Sequence, residues 1–279
     1  MGLLQLFGAS ARRSTTLALA FAASATTIGA QTTRPDSTQP LFTMRDAAIA
    51  GAFVGATIIA FPLDKRVAHR LEDQSTQTNR FLDHAATGFE LIASPGAYVI
   101  GGGLYVVGRL GKYDRLADLG LHGSEAVLVG DALTGVLKVT LGRSRPYVTA
   151  DSNPHDFKFG GGLRTDDRTS FPSGHTTTAF AAAAAVTSEV GRWSPGSTRI
   201  VGPLMYGGAT MVGLSRMYHN KHWLSDVVLG AAIGTFSGQK VAQLNHEHPG
   251  NRIDRALLHV SLAPDGHGGA SVGWSSTIP

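Results

Sequence analysis

Long apolar runs alternate with short polar stretches along this chain, and most of the runs are long enough for helices rather than strands. The stretch DAAIAGAFVGATIIAFP, 46–62, predicts an apolar helix whose roughly 17 residues lie at the lower limit for crossing a bilayer. Residues 63–90 are mixed and charged and predict short amphipathic helices. A second apolar run, 91–108, is weakened by Pro95 and Gly101–Gly103. Residues 123–141 predict a helix with a polar stripe, since Asp131 and Lys138 are seven apart and nearly share a face. No period marks 147–171, so a loop is expected; one that long inside a compact domain is usually functional or disordered. Three more helices follow at 176–190, 199–216 and 221–244. In the last, Gly230, Gly234 and Gly238 recur every fourth residue, a face that lets helices approach closely in a membrane or in a tight soluble bundle. Near the end, HVSLAP and ASVGWS flank DGHGG and predict a β-hairpin. The expected organisation is an N-terminal segment 1–30, a linker 31–43 with two prolines, a helical domain 44–248, and a tail 249–279 carrying the hairpin. The fold class is all-α.

Composition narrows this picture. With no cysteine in 279 residues, disulfides, thiol nucleophiles and thiolate metal sites are excluded. Charged residues make up 16%, against about a quarter in soluble domains, while a mean hydropathy of +0.03 is low for a fully embedded bundle. Arg12 and Arg13 precede TTLALAFAASATTIGA, which reads as a secretory signal with cleavage near Ala25 or Ala30; an uncleaved anchor is the alternative. Losing those two arginines lowers the net charge from +4 to +2. No Lys/Arg block with interleaved aromatics is present, so no nucleic-acid partner is expected.

Three polar clusters carry the candidate chemistry. In KVTLGRSRP, Lys138 and Arg145 are seven apart, and Gly142 and Pro146 predict that the helix ends between them. Arg143 reads as a cation favoured by the helix dipole. In FPSGHTTTAF, Ser173 or Gly174 opens a helix whose free N–H groups form an anion site, with His175 in the first turn; taken alone, the stretch is better explained by an ordinary Ser N-cap with an incidental histidine. In SRMYHNKHWLSD, Arg216 and His222 are six apart and cannot share a helix face. A break near His219–Asn220 is expected, with Asn220 as N-cap and His222 in the first turn of the last helix. Asp226 would then stand beneath His222, the arrangement that orients an imidazole and stabilises its charged form. Such an imidazole can serve as a nucleophile. A metal site on His219, His222 and Asp226 is opposed by the adjacent cations Arg216 and Lys221, so no metal is expected. His246 and His248 read as a solvated helix end rather than a ligand pair.

Together the three clusters resemble the type 2 phosphatidic acid phosphatase family, which shares its core with vanadium haloperoxidases. The family signature is K-x6-RP, PSGH and SR-x5-H-x3-D, and every signature position is matched in order. The resemblance covers roughly residues 44–244, with NKHWLSDVVLGAAIG similar to bacterial exported members. It implies a bundle of about six core helices and a metal-independent phosphatase without cofactor. Lys138, Arg145, Arg216, Ser173 and the Gly174 N–H would hold the phosphate. His222 would attack phosphorus and form a phosphohistidine, Asp226 would orient it, and His175 would protonate the leaving oxygen. Apart from the resemblance, Asp131 on the polar stripe leading to Lys138 is read as helping to hold it, with ordinary packing polarity as the alternative. The expected substrate is a lipid phosphate or a small phosphoester, and the expected place is the periplasmic side, associated with the membrane. Three rival readings stand beside this one. They are a soluble periplasmic acid phosphatase, a haloperoxidase that uses vanadate as cofactor where a phosphatase is inhibited by it, and a non-enzymatic phosphate-binding bundle.

Overall fold

The structure is a computed structural model and describes residues 40–148, 153–247, 260–264 and 270–274. The predicted signal segment and most of the linker lie outside the described residues. Helices α1 (Met44–Leu71), α2 (Gln74–Gln77), α3 (Arg80–Leu91), α4 (Ala97–Gly111), α5 (Asp114–Leu141), α6 (Gly174–Trp193), α7 (Thr198–Tyr218) and α8 (Leu224–Glu247) form the domain. If α3 and α4 count as one rod joined by the π turn Ile92–Gly96, six long segments result, as the resemblance implies. The predicted hairpin is present: β1 (Val260–Pro264) pairs antiparallel with β2 (Ala270–Trp274).

Two expectations are corrected. The first helix does not stop at Pro62; α1 runs on to Leu71 because its inward residues Ala60, Asp64 and Ala68 remain buried beyond the proline. The short helices expected across 63–90 are therefore reduced to α2 and α3. Pro95 does interrupt the second apolar run, at Ser94, whose dihedrals are extended (φ −148, ψ 120).

The core is built from small side chains. Ala117, Ala126, Ala181, Ala183, Ala184 and Ala185 are fully buried. The glycine face of α8 lies on α6, so close that a Cβ at Gly234 would sit 2.3 Å from the Thr177 carbonyl oxygen. Large apolar side chains face outward instead, with Ile59 71% exposed, Val99 70% and Leu204 70%. Met44–Leu71 and Arg80–Gly111 are long and apolar enough to cross a bilayer, and little of either is buried.

Candidate active site

Four helix termini meet at one end of the core. Helix α5 stops at Gly142, whose φ of +61 is a left-handed conformation suited to glycine. A Cβ there would lie 1.9 Å from the Lys158 carbonyl oxygen, so the exit admits no larger residue. Helix α6 starts at Ser173, and the Ser173 N–H donates to the Asp226 carbonyl (3.0 Å), which ties the start of α6 to that of α8.

The break between α7 and α8 falls where expected, but Asn220 has the opposite role. It adopts φ +53 and ends α7: its N–H donates to Met217 O (3.0 Å), and that of Lys221 donates to Arg216 O (3.0 Å). That pair of bonds is a Schellman stop, not an N-cap. His222 consequently lies in the connection ahead of α8 rather than in its first turn. The N–H groups at the start of α8 are satisfied by two carboxylates, one from its own first turn and one from α1. Asp226 accepts from Trp223 N–H (2.8 Å), and Asp64 of α1 accepts from Ser225 N–H (2.8 Å).

His222 is buried, and its Nδ1 lies 2.7 Å from the Ser170 carbonyl oxygen. A carbonyl can only accept, so Nδ1 carries the proton and the lone pair of the neutral ring is on Nε2. Asp226 Oδ2 stands 3.5 Å from the same Nδ1 and accepts from the Ser170 hydroxyl at 2.5 Å. The ring is thus held directly by the Ser170 carbonyl, with Asp226 beneath as expected. Burial, with Lys138 and Arg145 nearby, pushes the His222 imidazole down to about 3, so it is neutral at pH 7. Burial opposes the charge on Asp226, but Arg143 overcomes it and holds that carboxyl at about 2.

Sequence reasoning misjudged Arg143. It is not a dipole-favoured surface cation but a fully buried hub. Its guanidinium donates to Asp226 (2.5 Å), Asp64 (2.7 Å), the Ser225 hydroxyl (2.7 Å) and Pro154 O (2.9 Å). Phe61, Phe157, Phe171 and Trp223 surround it, with ring centroids 4.7 to 5.5 Å from Cζ. Asp64, Ser170 and Glu90 were also missed. Their signals were faint: a lone acid just after an apolar run, a serine two before PSGH, and a glutamate 126 residues before Arg216.

The remaining predicted residues gather around this centre. Lys138 Nζ donates to the Thr169 carbonyl, and its Cε would lie 3.6 Å from a Cβ at Gly174. Burial and the neighbouring Arg145 push the Lys138 amine down to about 8. Arg145 is held by Asp166 (2.8 Å) and the Thr169 hydroxyl (2.9 Å). Arg216 pairs with Glu90 of α3 at 2.7 Å, and its buried Nε has no protein partner. Glu90 also holds His219 (2.7 Å), which was assigned no role. His175 is lowered to about 4 by burial and then by Arg216 and Lys138. The Ser173 hydroxyl is not spent on capping its own helix; it accepts from Thr176. Asp131 is bonded to Thr178 and Tyr98 rather than to Lys138, so it does not hold the lysine. The 153–173 segment packs two 3-10 turns, Gly161–Leu163 and Asp166–Arg168, over the exit of α5.

These residues fall inside the region that known proteins share. The sequence model of the PAP2 superfamily matches residues 121–248, which contain every predicted site position. That match spans a little under half of the chain. The chain is 37% identical over 121 residues to a lipid A 1-phosphatase of Porphyromonas gingivalis, a match covering 40% of this chain and 22% of that protein. The chain thus spans about a fifth of the length of that curated relative. Among solved structures, a transmembrane PAP2 type phosphatidylglycerolphosphate phosphatase from Bacillus subtilis is similar at 20% identity with a TM-score of 0.48. That match covers 73% of this chain and 94% of the other. Aquifex aeolicus LpxE is similar at 24% identity with a TM-score of 0.47, covering 65% and 95%. The PAP2 signature residues are the ones that line the junction of α5, α6, α7 and α8.

Proposed function

We propose that this PAP2 chain is a metal-independent phosphatase that hydrolyses a lipid phosphomonoester or diphosphate through a phosphohistidine on His222. The observation that carries the reading is the tautomer of His222: its Nδ1 is committed to the Ser170 carbonyl, so its Nε2 lone pair is the nucleophile. Phosphoryl transfer needs chiefly positioning and charge stabilisation. Lys138, Arg145 and Arg216 supply three cations, and the start of α6 adds backbone donors at Gly174, so the charge that Mg²⁺ supplies in other enzymes is already present. Attack of Nε2 forms the P–N bond as the P–O bond breaks, and His175 gives its proton to the departing oxygen. Water then attacks phosphorus, His175 takes its proton, and the P–N bond breaks to release phosphate. The cations that lower His175 are the ones a phosphate dianion neutralises, which raises its proton affinity for the acid step.

A lipid substrate is supported by the outward-facing apolar segments α1 and α3–α4, which we assign to a bilayer, and by the likeness to a lipid A 1-phosphatase. Export to the periplasmic side rests on the N-terminal signal pattern. Phosphate release from a panel of lipid and soluble phosphates tests this reading, together with acid-labile, base-stable labelling by radioactive substrate. Release from lipid phosphates, inhibited by vanadate and unaffected by chelator, is the expected result. Label that survives acid, or halide oxidation with vanadate and peroxide, overturns it.

A further inference from the structure

We infer that His122, Glu189 and His246 form a divalent transition-metal site of the zinc class, which clips together the ends of α5, α6 and α8 farthest from His222. His122 lies sixteen residues before Lys138 on α5, about 24 Å along the axis. His246 lies twenty residues after Asp226 on α8, about 30 Å. The cluster is therefore a separate site at the opposite end of the core.

Three observations converge on it. The first is geometry: one ligand atom from each residue lies within 4.8 Å of the others, and both imidazoles aim at one carboxylate. His122 Nδ1 is 2.8 Å from Glu189 Oε1, and His246 Nε2 is 2.8 Å and 2.9 Å from its two oxygens. Tetrahedral zinc at about 2.0–2.1 Å from nitrogen needs donors about 3.3 Å apart, so each imidazole nitrogen must open from the carboxylate by about half an ångström. The second is burial and charge. Glu189 and His122 are buried, and the small apolar cluster Ala126, Val127, Ala181, Ala185 and Val241 lies on the same three helices. Glu189 brings a carboxylate into this buried place, and a divalent cation that displaces the imidazole protons compensates its charge. The third is chemistry: two imidazoles and a carboxylate form a zinc ligand set, and the ligands come from three different helices. Asp118 lies one turn before His122 on α5 and adds a further carboxylate to that stretch of helix. The expectation that His246 is part of a solvated helix end is thereby corrected: it is bonded to a buried glutamate.

The test uses the full chain in detergent, stripped with chelator and then titrated with Co²⁺ and Zn²⁺. One Co²⁺ per chain with a visible ligand-field spectrum, displaced by Zn²⁺, is expected, along with a higher thermal midpoint in Zn²⁺. His246→Ala, and Glu189→Gln as the variant that preserves shape, should each weaken binding by at least about tenfold. Binding that survives both substitutions, or no Co²⁺ spectrum in the wild-type chain, overturns the site in favour of a hydrogen-bonded His–Glu–His triad. Phosphate release at moderate temperature should be equal with and without Zn²⁺, so this result stands apart from the fate of the phosphohistidine proposal.

Discussion

Both ends of the α5–α6–α8 core bury histidine, and they use it in opposite ways. At the end proposed to be catalytic His222 meets a backbone carbonyl with Lys138 and Arg145 nearby, and Arg145 and Arg216 are each steadied by a carboxylate. At the far end His122 and His246 meet a carboxylate directly. Three cations converging on a lone pair make a place for an anion. Two imidazoles and a carboxylate converging on one point give, once the protons they share leave, a place for a cation. The same residue type is sorted into the two roles by what its second nitrogen faces.

The largest effect should come from His222. His222→Gln removes the nucleophile while keeping a polar side chain, and phosphate release should fall on the order of a thousandfold or more with an unchanged melting curve. Near wild-type turnover would break the contrast between the two ends. Next is Arg143, which touches no substrate in this scheme. Arg143→Ala leaves Asp64 and Asp226 buried without their cation and should cost about 3–5 kcal/mol of stability, read from denaturant or thermal unfolding. A stable variant that had lost only turnover would move Arg143 into the phosphate clamp. The smallest effect is the pH profile. Lys138 binds phosphate only when protonated, and its amine is lowered to about 8, so kcat/KM should decline as pH rises through about 8. His222, lowered to about 3, should impose no acid limb above that value. Lys138→Arg should carry the alkaline limb upward, because a guanidinium does not titrate in that range. A limb that stays in place assigns it to another group.

Much of the site was legible because its residues act over short separations. The need for a break between Arg216 and His222 followed from helical spacing alone, and the Schellman stop at Asn220 supplies it. Spacing does not say which side of the break a residue serves, so Asn220 was assigned to the wrong helix. Arg143 was misread because its partners Asp64 and Asp226 lie 79 and 83 residues away. A cation beside a helix end looks the same in sequence whether solvent or two carboxylates receive it. Pro62 misled for a related reason: a lost hydrogen bond weakens an isolated helix, but buried contacts on both sides carry α1 through it.

By itself the sequence determined the helical class, the hairpin, the three signature clusters and the glycine face of α8. Each of these is written in local periodicity or in neighbours within one or two turns. Only the tertiary structure decided that Ser170 holds the His222 ring, that Arg143 joins α1 to α8, that Glu90 steadies Arg216, and that His122, Glu189 and His246 meet. Those contacts depend on how helices distant in the chain pack, and packing selects partners by position in space rather than in sequence.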